Sequence, residues 1–119
     1  IFSAIQKAAE TALQLPDEYI KEVQHRYRTR RDFLIKGLSE LGWDIPVSQA
    51  TMYLWIKTPV GQGSTEFALD VLQQTGVVIT PGNAFGEAGE GYVRISLIAD
   101  CDRLGEVLRR FKQAGISYQ

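Results

Sequence analysis

The sequence predicts an α+β domain: a small sheet with helices packed on one face, preceded by a long linker helix. Three observations predict it. Apolar residues recur at helical spacing through the first 41 residues. Past Gly42 the period changes, and MYLWIK (52–57) and YVRISLI (92–98) are rich in strand formers. Of the 119 residues, 45% are apolar and 23% charged, ordinary for one globular domain.

In chain order, Ser3 and Gln6 form a candidate capping box for a helix running to about Leu13. Pro16 reads as the first residue of a second helix, with Asp17 and Glu18 in its first turn. Ile20, Val23, Tyr27, Leu34, Leu38 and Leu41 continue that helix, and Gly42 stands where a C′ glycine belongs. Roughly 26 residues would span ~39 Å, long for so small a domain. Residues 1–42 are therefore set apart as the helical part and 43–119 as the domain proper. Trp43 to Val47 reads as a short extended piece broken by Pro46, and Met52 to Lys57 as a strand. After a loop with Pro59, Gly61 and Gly63, Ser64 is the expected N-cap of a third helix with Phe67, Ala68, Val71 and Leu72 on one face. Val77 to Thr80 is expected as a short buried strand, Pro81 to Gly91 as a glycine-rich connection, and Tyr92 to Ile98 as a further strand. Asp100 should cap the last helix, with Leu104, Val107, Leu108 and Phe111 as its apolar stripe and Gly115 at its end.

Several function classes are disfavoured. Lys plus Arg is 13 and Asp plus Glu is 14, a net charge of −1, so the basic surplus that nucleic-acid affinity needs is missing. No apolar run approaches membrane-spanning length and no signal peptide opens the chain. The lone Cys101 has no partner for an internal disulfide, which points to a reducing, cytoplasmic setting. One histidine and one cysteine are too few for a Cys/His zinc site, and no metal is expected. The chain starts at Ile1 and its only methionine is Met52, so it reads as a piece of something longer.

Four features bear on chemistry. Alternation in YVRISLI puts Tyr92, Arg94 and Ser96 on one face of a strand, where a guanidinium fork matches a carboxylate but would equally suit a solvent face. The loop PGNAFGEAGEG (81–91) holds Gly82, Gly86, Gly89 and Gly91, which permit close backbone approach to a ligand; as a plain connection it would be pinned inward by Phe85. Glu87, Glu90 and the lack of phosphate-loop spacing disfavour a phosphate there. His25, Arg26, Arg28, Arg30 and Arg31 spread around the long helix and read as a solvated or inter-domain face. Cys101 follows a cap but has no orienting partner, and no carboxylate pair stands out for acid–base work.

The stretch Val78-Ile79-Thr80-Pro81-Gly82-Asn83-Ala84-Phe85-Gly86, followed by Gly91-Tyr92-Val93-Arg94-Ile95-Ser96, resembles the C-terminal signature of class I/II aminotransferases, the pyridoxal-phosphate enzymes of the aspartate aminotransferase superfamily. Tyr27, Arg30-Arg31-Asp32 and Leu41-Gly42-Trp43 resemble an upstream segment of that family, and Ala50-Thr51-Met52-Tyr53-Leu54-Trp55 one of its strands. The opening stretch and RYRTRRDFL are most similar to LL-diaminopimelate aminotransferases. The resemblance spans essentially the whole chain, in order.

The resemblance implies that Arg94 binds the substrate α-carboxylate, and that Gly82, Asn83, Ala84 and Phe85 line or close the substrate end of the site. It implies amino acid and 2-oxo acid substrates, pyridoxal 5′-phosphate in the parent enzyme, and a homodimer with Ile1 to Gln6 near the subunit interface. It also implies that 43–119 is the C-terminal small domain and that the long helix packs along a large domain. The family's cofactor lysine has no counterpart in context among Lys7, Lys21, Lys36, Lys57 and Lys112. The chain alone is therefore expected to be inactive and to hold no cofactor. The competing expectation is a stand-alone α+β module that binds small molecules or regulates a partner.

Overall fold

Helix α1 (Ser3–Leu13) and helix α2 (Asp17–Ser39) follow each other with only a short turn between them. A computed structural model describes residues 1–118; Gln119, the last residue of the expected 43–119 unit, lies outside them. Ser3 is already helical and Phe2 holds the cap position without a side-chain bond, so the expected capping box does not form. Gln6 instead donates to the Ile1 carbonyl at 3.2 Å. No residue of α1 is buried.

Pro16 sits one place earlier than expected, as the cap of α2, and Asp17 and Glu18 face the free N–H groups of its first turn. The helix has 23 residues, about 35 Å at 1.5 Å each. It stops at Ser39, two residues short of the expected Leu41, because the chain closes a Schellman turn. The Trp43 N–H donates to the Leu38 carbonyl and the Gly42 N–H to the Ser39 carbonyl, both at 3.1 Å. Gly42 lies at φ 97°, a conformation that favours glycine.

Strands β1 (Tyr53–Lys57), β2 (Thr80–Pro81) and β3 (Tyr92–Ser96) form one antiparallel sheet in the order β1-β3-β2. Two expected extended pieces are corrected. Residues 43–47 do not join the sheet: Pro46 has no N–H for a ladder, while Trp43 and Ile45 turn into the core. The Trp43 indole then donates to the Lys57 carbonyl at 3.0 Å and ties this segment to the end of β1. The strand expected over 77–80 shrinks to two paired residues, since Pro81 offers no N–H and Gly82 turns the chain away. Val78 is exposed and only Ile79 of that piece is buried.

One sheet face carries Leu54, Ile56, Val93 and Ile95 into the core. They meet Leu34 and Leu38 of α2, Phe67 and Val71 of helix α3 (Ser64–Thr75), and Leu104 and Phe111 of helix α4 (Cys101–Ala114). Burying Phe67 and Phe111 alone contributes about 1.5–3 kcal/mol each. Asp100 caps α4 as expected, accepting from the Arg103 N–H at 2.9 Å. The far end of α2, by contrast, leaves Tyr19 and Ile20 exposed. Helices α2, α3 and α4 pack on the buried face of the sheet, so the opposite face of β1 and β3 is left clear of them.

Candidate functional site

Arg94 sits in the middle of the central strand. Its cross-strand partners are Trp55 on β1 and Thr80 on β2. Alternation along β3 buries Val93 and Ile95 and turns Tyr92, Arg94 and Ser96 to the open face. On β1 the same alternation brings Tyr53, Trp55 and Lys57 to that face.

The guanidinium is held by rings rather than by oxygens. Its carbon lies 4.1 Å from the Tyr53 ring centroid and 4.5 Å from that of Phe85. Tyr53 is a diagonal neighbour across the strand pair, within reach of a long side chain. Cation–π contacts of this kind contribute about 0.5–2 kcal/mol each. Among the described residues the Arg94 side chain makes no hydrogen bond and no ion pair, so its planar set of donors stays available. Trp55 completes the aromatic surround, stacked on Tyr92 at 5.7 Å and edge-on to Phe85 at 5.9 Å. A half-buried cation with aromatic walls and unengaged donors suits a planar anion, a carboxylate above all.

Phe85 reaches this face from the loop after β2. Residues 82–85 and 87–89 form two short 3₁₀ turns. Gly82 and Gly89 cross at the loop's neck, where a Cβ on either would run into the other's carbonyl. Phe85 does not pin the loop into the core, as the plain-connection reading expected; it is 54% exposed and lies over Arg94. Of the other expected loop residues, Gly82 is buried at the neck and Ala84 is exposed. Asn83 is spent on Thr65, exchanging hydrogen bonds at 2.9 and 3.2 Å.

Sequence reasoning missed Tyr53 and Trp55 as neighbours of Arg94. Alternation within MYLWIK already put them on one face; the register with β3 was the missing datum. It also misplaced Ser64. Gly63 holds the cap position, and Ser64 is fully buried. The Ser64 hydroxyl donates to the Gly89 carbonyl at 3.2 Å and accepts from the Tyr92 N–H at 3.1 Å. Glu90 in turn accepts from the Ser64 N–H at 2.7 Å, and that bond holds its carboxyl below the usual carboxylate range.

The basic residues of α2 divide. Arg26 pairs with Glu22 at 2.9 Å on the surface, as their spacing suggests. Arg30 donates to the Leu97 and Ile98 carbonyls at 3.1 and 2.8 Å, and Arg31 to the Ser48 carbonyl at 2.7 Å. Those two are braces for the fold, not a solvated face. Cys101 is the half-buried first residue of α4. Among the described residues no group of three His, Cys, Asp or Glu gathers as for a metal ion, and no helix is long and apolar enough to cross a membrane.

Fold and open face together define a small sheet-and-helix domain that carries Arg94 on the sheet face turned away from the core. The chain belongs to the class I and II aminotransferases, whose family model matches residues 1–111. It is 48% identical over 119 residues to LL-diaminopimelate aminotransferase of Halothermothrix orenii, covering 100% of this chain and 31% of that enzyme. It is 46% identical over 113 residues to the LL-diaminopimelate aminotransferase of Maridesulfovibrio salexigens, covering 95% and 29%. Among solved structures, apo-BacF of Bacillus subtilis matches with a TM-score of 0.91 at 30% identity, over 100% of this chain and 31% of that one. The L,L-diaminopimelate aminotransferase of Chlamydomonas reinhardtii matches with a TM-score of 0.68 at 31% identity, over 76% and 22%. The chain thus spans less than a third of the length of these relatives.

Enzymes of this family use pyridoxal phosphate. The residues present here fit a carboxylate, not that cofactor. All five lysines are exposed on the surface, so none is sheltered to receive a carbonyl group.

Proposed function

We propose that this chain is the small-domain portion of a pyridoxal-phosphate-dependent aminotransferase similar to LL-diaminopimelate aminotransferase, and that Arg94 binds the substrate α-carboxylate. One observation carries the reading: Arg94 stands on a rigid central strand, clamped by Tyr53 and Phe85, with no polar partner among the described residues. A guanidinium so placed would take an incoming amino acid or 2-oxo acid by two parallel hydrogen bonds. That contact fixes the carboxylate, and with it the orientation of the α-carbon and its amino group, which is where a well-built site gains much of its rate. The aromatic walls exclude water from one side of the pair and strengthen it. The cofactor, when bound, supplies an electron sink for the bonds broken at the α-carbon. It would be held by parts of the parent enzyme outside this chain.

The exposed apolar residues of the helical part support a place for residues 1–42 against other protein. Phe2, Ile5 and Leu13 are 72%, 61% and 88% exposed, which is costly on an unpartnered surface. A large domain of the same enzyme and a second subunit of a cytoplasmic homodimer would cover them. In the parent enzyme, Arg94→Ala should lower kcat/KM for the amino donor by about a hundredfold or more, equivalent to ~3 kcal/mol. The cofactor's absorbance should stay unchanged. An unaltered kcat/KM would remove Arg94 from the site.

A further inference from the structure

The ring over Arg94 is carried by a loop, and the loop is held by the start of α3. Three ties converge there. The buried Ser64 hydroxyl bridges the Gly89 carbonyl, at the loop's end, and the Tyr92 N–H, where β3 begins. The Glu90 carboxylate accepts from the Ser64 N–H at 2.7 Å. Thr65 engages Asn83 at the loop's start. Both feet of the loop are therefore fastened to two consecutive residues, and the Gly82–Gly89 crossing closes its neck. Phe85 lies between those feet and has no burial of its own to fix it, being more than half exposed.

We propose that Ser64 and Glu90 are positioning residues for the carboxylate site: their clasp sets the loop so that Phe85 closes over the Arg94 guanidinium. The inference rests on the reading of Arg94 as the carboxylate-binding residue. Neither residue touches the substrate; each acts through the loop and through Phe85. Ser64 is suited to this because a buried hydroxyl that both donates and accepts fixes two chain segments at once. Glu90 is suited because its charge faces the free N–H groups of a helix start, where a carboxylate is favoured. The lowered pKa of Glu90 accords with a carboxylate that stays ionised and keeps accepting.

A loosened clasp leaves Arg94 on its strand with Tyr53 still beside it. What is lost is the second wall. Substrate binding should therefore weaken while the chemical step, run at saturation, is largely kept. The experiment is steady-state kinetics on the parent holoenzyme with LL-diaminopimelate as amino donor, comparing Ser64→Ala, Glu90→Ala, Glu90→Gln and Arg94→Ala. The expected result is a KM raised about tenfold in Ser64→Ala and Glu90→Ala with kcat within about twofold. Glu90→Gln, which keeps an acceptor oxygen for the Ser64 N–H, should recover most of the lost affinity. If Ser64→Ala does not fold, exposed Glu90 still decides the matter through its Ala and Gln variants. An unchanged KM in folded Glu90→Ala, or equal loss in kcat and KM without rescue by Gln, would overturn the proposal. Arg94→Ala separates the two layers: if it is also silent, the site itself is misassigned; if it alone is damaging, only the clasp is.

Discussion

The guanidinium carbon of Arg94 lies 4.1 Å from the centre of the Tyr53 ring, with no carboxylate of the described residues paired to it. Phe85 stands at 4.5 Å. Two rings and no counter-ion make a cation that is oriented without being neutralised. An internal Asp or Glu would have held the fork equally well, but a ligand would then have to displace it. The aromatic clamp spares the donors.

The clamp can be tested ring by ring. Tyr53→Leu and Phe85→Leu should each weaken amino-acid binding by about 0.5–2 kcal/mol, roughly two- to thirtyfold in KM of the parent enzyme. Leucine keeps apolar volume and removes the ring's quadrupole, so the change reports the cation–π contact. The double variant should lose less than the sum of the two, because the rings act on one group. Strict additivity in that cycle would show that Tyr53 and Phe85 serve the site separately.

The elements that carry this arrangement differ in how far the sequence revealed them. Four helices and the strands containing Leu54 and Val93 follow from period and punctuation, and the Arg94 face follows from alternation along YVRISLI. Local patterns end there. That Tyr53 reaches Arg94 depends on which residue of β1 pairs with which of β3, and strand register is a long-range property. Ser64 departs from its expected cap role for a related reason. A serine at a helix start usually caps it, but here two distant backbone groups, on Gly89 and Tyr92, claim the hydroxyl. The inward expectation for Phe85 follows from the tendency of an aromatic in a polar loop to seek the core. The cation on the open face supplies the alternative that the one-dimensional pattern lacks.

Thr51 introduces strain two residues before β1. It is the one described non-glycine residue at positive φ, 76°, where a β-branched side chain crowds its own backbone. Thr51→Gly should relieve about 1–2 kcal/mol of that strain and give back roughly 0.5–1 kcal/mol through the more flexible unfolded chain. A net gain on the order of 0.5 kcal/mol is expected in the urea midpoint. Thr51→Val, branched in the same way and without the hydroxyl, should show no such gain. A loss of stability in Thr51→Gly would mean that the threonine side chain contributes more than its backbone costs.

Glu106 provides a pH signature for the α3–α4 packing. Arg109 and Arg110 both donate to its carboxylate, at 2.6 and 2.7 Å, and together hold its pKa at about 2 instead of 4.5. Arg110 also donates to the Thr75 carbonyl at 3.1 Å, so the ion network braces the end of α3. The sign follows from linkage: a carboxylate depressed in the folded state stabilises it fully above the unfolded value, near 4.5. That contribution is lost progressively as pH falls from there through about 2. Stability measured by denaturant between those limits should therefore fall less steeply with acid in Glu106→Gln than in the native protein. Salt should shrink the difference, since the Glu106 side chain is 32% exposed and its Arg109 partner 54%. Identical acid limbs for the two proteins would show that the network exerts no net hold on the fold.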